Sequence, residues 1–144
     1  MDSTEEVHDS PTGWVAKHIN SYVKSGGQKG HIWNGVPTLL LTTRGRKSGQ
    51  LRRTALIYGQ DAGRYLLVAS LGGSPKHPLW YLNLLEHPEV ELQVGEESFA
   101  GRARVATAEE KPRLWQLMAA IFPQYDSYQK KTSREIPVVI VERA

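Results

Sequence analysis

The chain turns at Thr42-Thr43-Arg44-Gly45-Arg46-Lys47-Ser48-Gly49-Gln50-Leu51-Arg52-Arg53, a hydrophilic segment that separates two apolar runs, residues 37–41 and 55–58. This order predicts a strand, a tight cationic loop and a second strand. Gly45 and Gly49 allow positive φ, so successive backbone N–H groups can turn toward one point.

The side chains of this loop predict a site for a phosphate or a carboxylate. Arg46 and Lys47 supply positive charge, and Ser48 supplies a hydroxyl donor. The spacing between glycine and Lys-Ser differs from that of a Walker loop, which excludes that kind of nucleotide site. A solvated turn that carries surface charge is the structural alternative.

Positive charge is unevenly distributed along the chain. Eight Lys or Arg residues and no Asp or Glu lie between Ser10 and Gln60, whereas the rest of the chain holds ten basic and fifteen acidic residues. A field of one sign over one third of the chain attracts an anionic partner, which could be a phosphorylated cofactor, an acidic membrane surface or a nucleic acid. The basic residues cluster at one loop and form no known reader motif, which argues against nucleic acid.

Composition limits the possible classes of protein. The 144 residues suit one domain, which we assign to residues 13–144, after an acidic tail at 1–12 that is predicted to be disordered. The absence of Cys excludes disulfides and thiolate nucleophiles, and the spacing of the five His predicts no metal site. No apolar run is long enough to span a membrane and no signal-peptide pattern is present, so we predict a cytoplasmic protein.

Hydrophobic periodicity predicts about six strands and three helices. A helix at 14–24 covers the core or, alternatively, lies on an anionic membrane. The residues at 107–110 fit a capping box before the last helix, and 122–128 is predicted to be an aromatic-rich loop. Short connections favour antiparallel pairing, so the predicted fold class is α+β, with an antiparallel barrel-like sheet flanked by helices. The predicted strands are 37–43, 51–59, 64–70, 89–94, 99–105 and 136–142, and the second predicted helix is 79–86.

Three further segments suggest a pocket for a large planar anion. Leu71-Gly72-Gly73 directly follows a predicted strand and allows close approach of a ligand to the backbone. The segment Leu79-Trp80-Tyr81-Leu82-Asn83 places aromatic rings and an amide on one short helix, and Tyr125 and Tyr128 supply polar-tipped rings. The alternative for Trp80 and Tyr81 is an ordinary role in the core.

Taken together, these segments resemble the deazaflavin-dependent nitroreductase and quinone reductase family of actinobacteria. The similarity rests on residues 45–49, 68–73, 78–84, and Tyr125 with 136–138, and it runs from about Val36 to the C-terminus. It implies a split β-barrel related to barrels that bind flavin mononucleotide. It also implies reduced coenzyme F420 as hydride donor to quinones and other activated conjugated acceptors, including enones and nitroaromatics.

The resemblance also implies which residues form the site. It assigns the coenzyme phosphate to Arg46, Lys47 and Ser48, with Arg52 and Arg53 continuing the basic rim. The wall of the site is assigned to Thr54, Ala55, Leu56 and Ile57, and the surface that faces the deazaflavin ring to Val68, Ala69, Ser70 and Leu71. The short helix that closes the site supplies Leu79, Trp80, Tyr81, Leu82 and Asn83, and Tyr125 is placed over the substrate.

The mechanism implied is direct hydride transfer, which needs no nucleophile. Ser70, Tyr125 and Tyr128 are the predicted catalytic residues, with Ser70 and Tyr125 or solvent as the donor to the developing oxyanion. Ile57 and Phe122 stand where the nitro-drug-activating relatives carry tyrosines, which argues against bulky nitroaromatics. Alternatives are an oxidoreductase of the same fold that uses flavin mononucleotide, and a non-enzymatic domain that binds an anionic ligand or membrane.

Overall fold

The computed structural model describes residues 5–11 and 13–144, without the side chains of residues 13 and 14. In these residues the chain forms nine strands and four helices, in agreement with the predicted α+β class but with more strands than the six expected. In chain order they are β1 (Val7–Asp9), α1 (Gly13–Lys24), β2 (Ile32–Trp33), β3 (Val36–Arg44), β4 (Leu51–Ile57), β5 (Gly59–Asp61), β6 (Arg64–Val68), α2 (Leu79–Glu86), β7 (Glu89–Val94), β8 (Glu97–Val105), α3 (Lys111–Ile121), α4 (Gln124–Lys131) and β9 (Val138–Arg143).

The strands form one open sheet in the order β1-β4-β3-β7-β8-β9-β6-β5, with β2 paired to β3. The expected antiparallel pairing is found throughout except between β1 and β4, which are parallel. That exception is possible because the long connection between them, which includes α1 and β3, leaves room for a crossover. Among the described strands, β4 and β6 approach each other without pairing, so the sheet is not closed.

Strand β3 lies at the centre of the core because both of its faces are covered. Leu39 and Leu41 belong to the main hydrophobic cluster, whereas Leu40 packs on the opposite face against Ile19 and Tyr22 of α1. A strand buried on both faces needs the continuous apolar run seen here. The apolar stripe of α1 is therefore used in packing within the domain.

Several local predictions are confirmed. Helix α2 has the bounds expected from the Pro78 signal, and β7 and β8 form the expected hairpin. The capping box forms both of its hydrogen bonds, from Thr107 N to Glu110 Oε1 and from Glu110 N to Thr107 Oγ1.

Other predictions differ from the structure. The strand expected at 51–59 ends at Ile57, and Gly59 begins the separate strand β5. Most of the segment expected to be an aromatic-rich loop is helical, because Pro123 precedes α4 in the helical conformation instead of breaking it. A strand, β1, lies inside the segment that the sequence assigns to a disordered tail; residues 1–4 and 12 of that segment lie outside the described residues.

Candidate functional site

Two cavities meet where β4 and β6 approach without pairing. The larger, about 840 Å³, extends from the loop after β3 to α2 and is called the cationic cavity. The smaller, about 240 Å³, is lined by α4 and is called the aromatic cavity. Leu56, Val68 and Ser70 line both, so these three residues form the division between the cavities.

The alternation of β4 explains why one strand serves two cavities. Thr54 and Leu56 line the cationic cavity, whereas Ala55 and Ile57 line the aromatic cavity. Successive side chains of a strand point to opposite faces, so a single half-buried strand supplies both walls.

The cationic loop, residues 45–50, is held by its own backbone. Gly45 N donates to Gln50 O at 2.7 Å and Gly49 N donates to Gly45 O at 2.9 Å. Gly49 has the expected positive φ of 72°. Gly45 does not, and a Cβ there would lie 2.6 Å from Ser48 Oγ and 3.2 Å from Gln50 O, so a side chain at this position would displace the Ser48 hydroxyl.

The cations around this cavity are of two kinds. Arg44 binds Glu5 through both guanidinium nitrogens at 2.7 and 2.9 Å, and Arg53 binds Asp9 at 2.6 and 3.1 Å. Arg46 and Lys47 are exposed and form no ion pair with any residue that the structure describes. Arg52, which also lines the cavity and is exposed, donates to Gln50 Oε1 at 3.2 Å and likewise has no carboxylate partner among the described residues. The cationic cavity therefore has three positive charges available to a ligand.

Asn83 fixes the position of this loop from α2. It is 6% exposed, its Nδ2 donates to Thr43 Oγ1 at 3.2 Å, and its Oδ1 accepts from Arg46 N at 3.0 Å. One buried amide thus joins a helix, a strand and the cationic loop. Both polar atoms of its side chain are hydrogen-bonded within the protein, although the residue also lines the cavity.

The aromatic cavity is bounded by rings on one face of α4. Tyr125 is 4% exposed, and its ring lies 5.0 Å from that of Phe122 and 6.4 Å from that of Tyr128. Burial is the main cause that raises the pKa of Tyr125. Its hydroxyl has no hydrogen-bond partner among the described residues, yet no fully buried side-chain N or O there lacks one. The hydroxyl therefore keeps some contact with the open space of the cavity.

Most of the residues predicted for the site are brought together. Ala69, Tyr81 and Leu82 are exceptions that line neither cavity, since Ala69 and Tyr81 belong to the main core and Leu82 packs against it. The cationic cavity contains Arg46, Lys47, Ser48, Arg52, Arg53, Thr54, Leu56, Val68, Ser70, Leu71, Leu79, Trp80 and Asn83. The aromatic cavity contains Ala55, Leu56, Ile57, Val68, Ser70, Tyr125 and Tyr128.

Sequence reasoning missed the contribution of β1. His8, Asp9, Ser10 and Pro11 line the cationic cavity, although the sequence assigns them to a disordered tail. The available signal was charge complementarity, because the acidic residues at the start of the chain precede the acid-free basic stretch that they meet in the fold.

The described residues offer neither a metal site nor a membrane-spanning helix. No group of three His, Asp or Glu side chains there could hold a metal ion. No described helix has both the length and the apolar character that crossing a membrane requires.

Comparison with known proteins places the chain in a family. Residues 14–143 match the family model described as F420H(2)-dependent quinone reductase. An F420H(2)-dependent quinone reductase of Mycobacterium tuberculosis is 38% identical over 143 residues, which cover 90% of this chain and 96% of the relative.

Two solved structures are similar to this chain in both sequence and fold. A structure of an F420-H2 dependent reductase, FDR-A, is 44% identical with a TM-score of 0.68, and the match covers 74% of this chain and 94% of that one. A second structure, described as a domain-swapped dimer, is 39% identical with a TM-score of 0.72, and the match covers 92% of this chain and all of that one.

Proposed function

The chain belongs to the F420H(2)-dependent quinone reductase family, and from this premise we propose that its two cavities hold the hydride donor and the hydride acceptor. Membership makes the chain an oxidoreductase with reduced coenzyme F420 as its cofactor. The acceptor class that the family name implies is a quinone. Each reactant would then be held by the residues that line one of the cavities.

The cationic cavity fits a large, flat, phosphorylated coenzyme. Its volume of about 840 Å³ lies in the range of ligand sites, and Leu56, Val68 and Trp80 supply apolar surface. The observation that carries the assignment is the pair Arg46 and Lys47, which lack carboxylate partners among the described residues at one end of that cavity. Together with Ser48 they would hold a phosphate by charge-assisted hydrogen bonds.

The aromatic cavity suits the acceptor. Bound reduced coenzyme F420 supplies the hydride. Ser70, which lines both cavities, and Tyr125 each present a hydroxyl without a partner among the described residues, at or beside the division between the cavities. The hydroxyl of Tyr125 is protonated at neutral pH, since burial raises its pKa further above an ordinary value that is already alkaline, and it can donate a hydrogen bond to a developing oxyanion.

The lining of the aromatic cavity also bears on the choice of acceptor. Ile57 and Phe122 both line it, so the two positions that differ from the nitro-drug-activating relatives lie at the proposed acceptor site. Its volume of about 240 Å³ suits a compact ring. We therefore propose quinones and conjugated enones as substrates in preference to bulky nitroaromatics.

The architecture supports the same assignment. We assign the open sheet to a split barrel whose split lies between β4 and β6, since those strands approach without pairing. Both cavities open at that split. Ligands can then reach both cavities through the split, while the hydrophobic core around β3 remains fully packed.

One titration tests the proposal. Oxidation of reduced coenzyme F420 is followed by absorbance under anaerobic conditions, with menadione and with enzyme, and with each omitted in turn. We expect oxidation only when both are present, and no added metal should be required. Menadione reduction with NADPH or reduced flavin mononucleotide, at a rate equal to that with reduced F420, would contradict the proposal; the described strands and helices lack the GxGxxG strand-to-helix turn of dinucleotide sites.

A further inference from the structure

We propose that Arg134 is a positioning residue that fixes the Ser70 loop, residues 69–74, between the two cavities. The proposal rests on the proposed function, because the loop carries Ser70, which lines both cavities, and Leu71, which lines the cationic one. Arg134 itself lines neither cavity, and no motif in the sequence indicates this role.

The guanidinium of Arg134 donates to three backbone carbonyl groups of the loop. Nε donates to Ser74 O at 2.8 Å, Nη2 donates to Ser70 O at 2.7 Å, and Nη1 lies 3.2 Å from Ala69 O. Among the described residues Arg134 has no carboxylate partner, so its planar set of donors faces the loop carbonyls and, through Nη1, His77 Nδ1 at 3.3 Å. A lysine could not reproduce this arrangement, since its ammonium is a single point with no fixed fork.

The loop has a backbone conformation that needs external support. Leu71, Gly72 and Gly73 have consecutive φ values of 45°, 63° and 83°. A leucine in the left-handed region costs free energy, and it persists only where the surroundings hold it there. Leu71 is also 53% exposed, so burial of its side chain does not provide that support.

Helix α4 packs against the same loop. A Cβ on Gly73 would lie 2.7 Å from Tyr128 O and 3.1 Å from Lys131 Cβ. The loop therefore contacts both Arg134 and the helix that carries the two proposed catalytic tyrosines. Two internal hydrogen bonds, from Gly73 N to Ser70 O at 3.0 Å and from Ser74 N to Leu71 O at 3.1 Å, complete it.

Through these contacts Arg134 can affect the rate of hydride transfer although it touches neither reactant. A shift of the Ser70 backbone would change the width of the division between donor and acceptor, and misplacement of reacting groups by about 1 Å can reduce a rate by ~10²-fold. The cationic loop is held separately by Asn83 and its own backbone, so affinity for the coenzyme should depend little on Arg134.

The first experiment compares Arg134→Lys with the matched control Arg113→Lys, whose arginine is 63% exposed and paired with Asp61. Hydrogen exchange of the Gly73 and Ser74 amides is measured on each protein without ligand. Turnover of menadione with reduced F420 and the dissociation constant of F420 are then measured. For Arg134→Lys we expect exchange at both amides to accelerate about tenfold and kcat to fall about tenfold, with KM and F420 affinity changed less than threefold.

The exchange measurement separates this proposal from the proposed function. If wild type reduces no quinone but its two amides are protected and lose protection in Arg134→Lys alone, the function fails and Arg134 still fixes the loop. Wild-type exchange in Arg134→Lys overturns the proposal, as does a kcat that falls equally in the Arg113→Lys control.

A second variant covers the case in which Arg134→Lys does not fold. Gly73→Ala displaces the same loop while Arg134 is retained, because the added Cβ meets the α4 backbone. We expect faster exchange at Ser74 and a lower kcat with F420 affinity preserved. Normal exchange and normal kcat in this variant would show that the position of the loop does not limit the reaction.

Discussion

The cationic and aromatic cavities share three residues but differ in how their functional groups are supported. Arg46 and Lys47 stand on an exposed loop that is held by backbone hydrogen bonds and by Asn83. Tyr125 belongs to a buried cluster with Leu114, Met118 and Ile136. We therefore expect the proposed binding groups Arg46 and Lys47 to be replaceable at little cost to folding, whereas the proposed role of Tyr125 and the stability of its cluster depend on the same side chain.

The largest expected effect concerns Tyr125, the buried residue of the aromatic cavity. Tyr125→Ala should lower the free energy of unfolding by about 3–5 kcal/mol, because it removes a buried ring and leaves a cavity. Tyr125→Phe is the matched control, since it keeps the ring and removes a hydroxyl that has no partner among the described residues. Thermal melts should separate the two variants, and a kcat that falls ~10²-fold in Tyr125→Phe would identify the hydroxyl as proton donor.

An unchanged melting temperature in Tyr125→Ala would break the comparison. It would mean that α4 can move away from the core at little cost. A normal kcat in Tyr125→Phe would leave Ser70 or solvent as the proton source.

The next effect tests the exposed side. Lys47→Ala and Arg46→Ala should each weaken F420 binding by about ten- to a hundredfold, as expected for loss of a charge-assisted contact of roughly 1.5–3 kcal/mol. The free energy of unfolding should change by only ~0.5 kcal/mol, because both side chains are exposed. Lys76→Ala is the control, since Lys76 is exposed but lines neither cavity. Equal F420 affinity in all three variants would contradict the phosphate assignment.

A third prediction sharpens the comparison, because Asn83 is a buried residue on the cationic side. Asn83→Ala leaves Arg46 N and Thr43 Oγ1 without their hydrogen bonds to the amide, at a cost of about 1–3 kcal/mol in unfolding free energy. Coenzyme affinity should fall as well, since the loop loses its link to α2. Asn20→Ala, an exposed change on α1, should affect neither quantity. Loss of stability with unchanged F420 affinity would show that coenzyme binding does not depend on the link between the loop and α2.

The smallest expected effect concerns pH. Burial, and secondly the charge of Arg134, lower the pKa of His77, whose Nδ1 lies 3.3 Å from Arg134 Nη1. The unfolded chain therefore takes up a proton at His77 more readily than the native one. The contribution to stability is complete above the ordinary His pKa of about 6.5 and is lost as the pH falls below it.

Melting temperatures at pH 7.5 and 5.0 check this sign. Between pH 7.5 and pH 5.0 the melting temperature of wild type should fall further than that of His77→Gln, because glutamine does not titrate. The difference between the two falls should be about 2 °C or less. A larger loss in the variant than in wild type would contradict the lowered pKa of His77.

Local signals in the sequence were sufficient for much of the fold and the site. The capping box at Thr107, the proline before α2 and the glycines of the cationic loop each act through neighbours within a few residues, so their outcome does not depend on the rest of the fold. The candidate binding residues on that loop could be proposed from sequence alone because they are charged and lie in a hydrophilic, glycine-containing segment. The resemblance to a family then supplied the cofactor.

Features that the sequence did not reveal depend on contacts between distant segments. Arg134 reaches carbonyl groups more than sixty residues away, and backbone carbonyls carry no sequence signal. β1 forms against β4 across a separation of 44 residues. The sequence did not predict helix α4. Its aromatic residues pack against the core in the fold, but without those contacts the same pattern is typical of an irregular loop.

The pairing of β1 with β4 has a consequence for self-association. β1 covers β4 at residues 51–53, and the sheet ends there. An uncovered strand edge offers hydrogen-bonding groups to a second chain, and charged side chains along the edge are a common protection. Since β1 occupies that edge of β4 and Asp9 pairs with Arg53, a second chain could pair with β4 at residues 51–53 only after β1 had been displaced. Arg52 and Arg53 of the two chains would then lie opposite each other, and their mutual repulsion, which salt screens, would oppose that pairing.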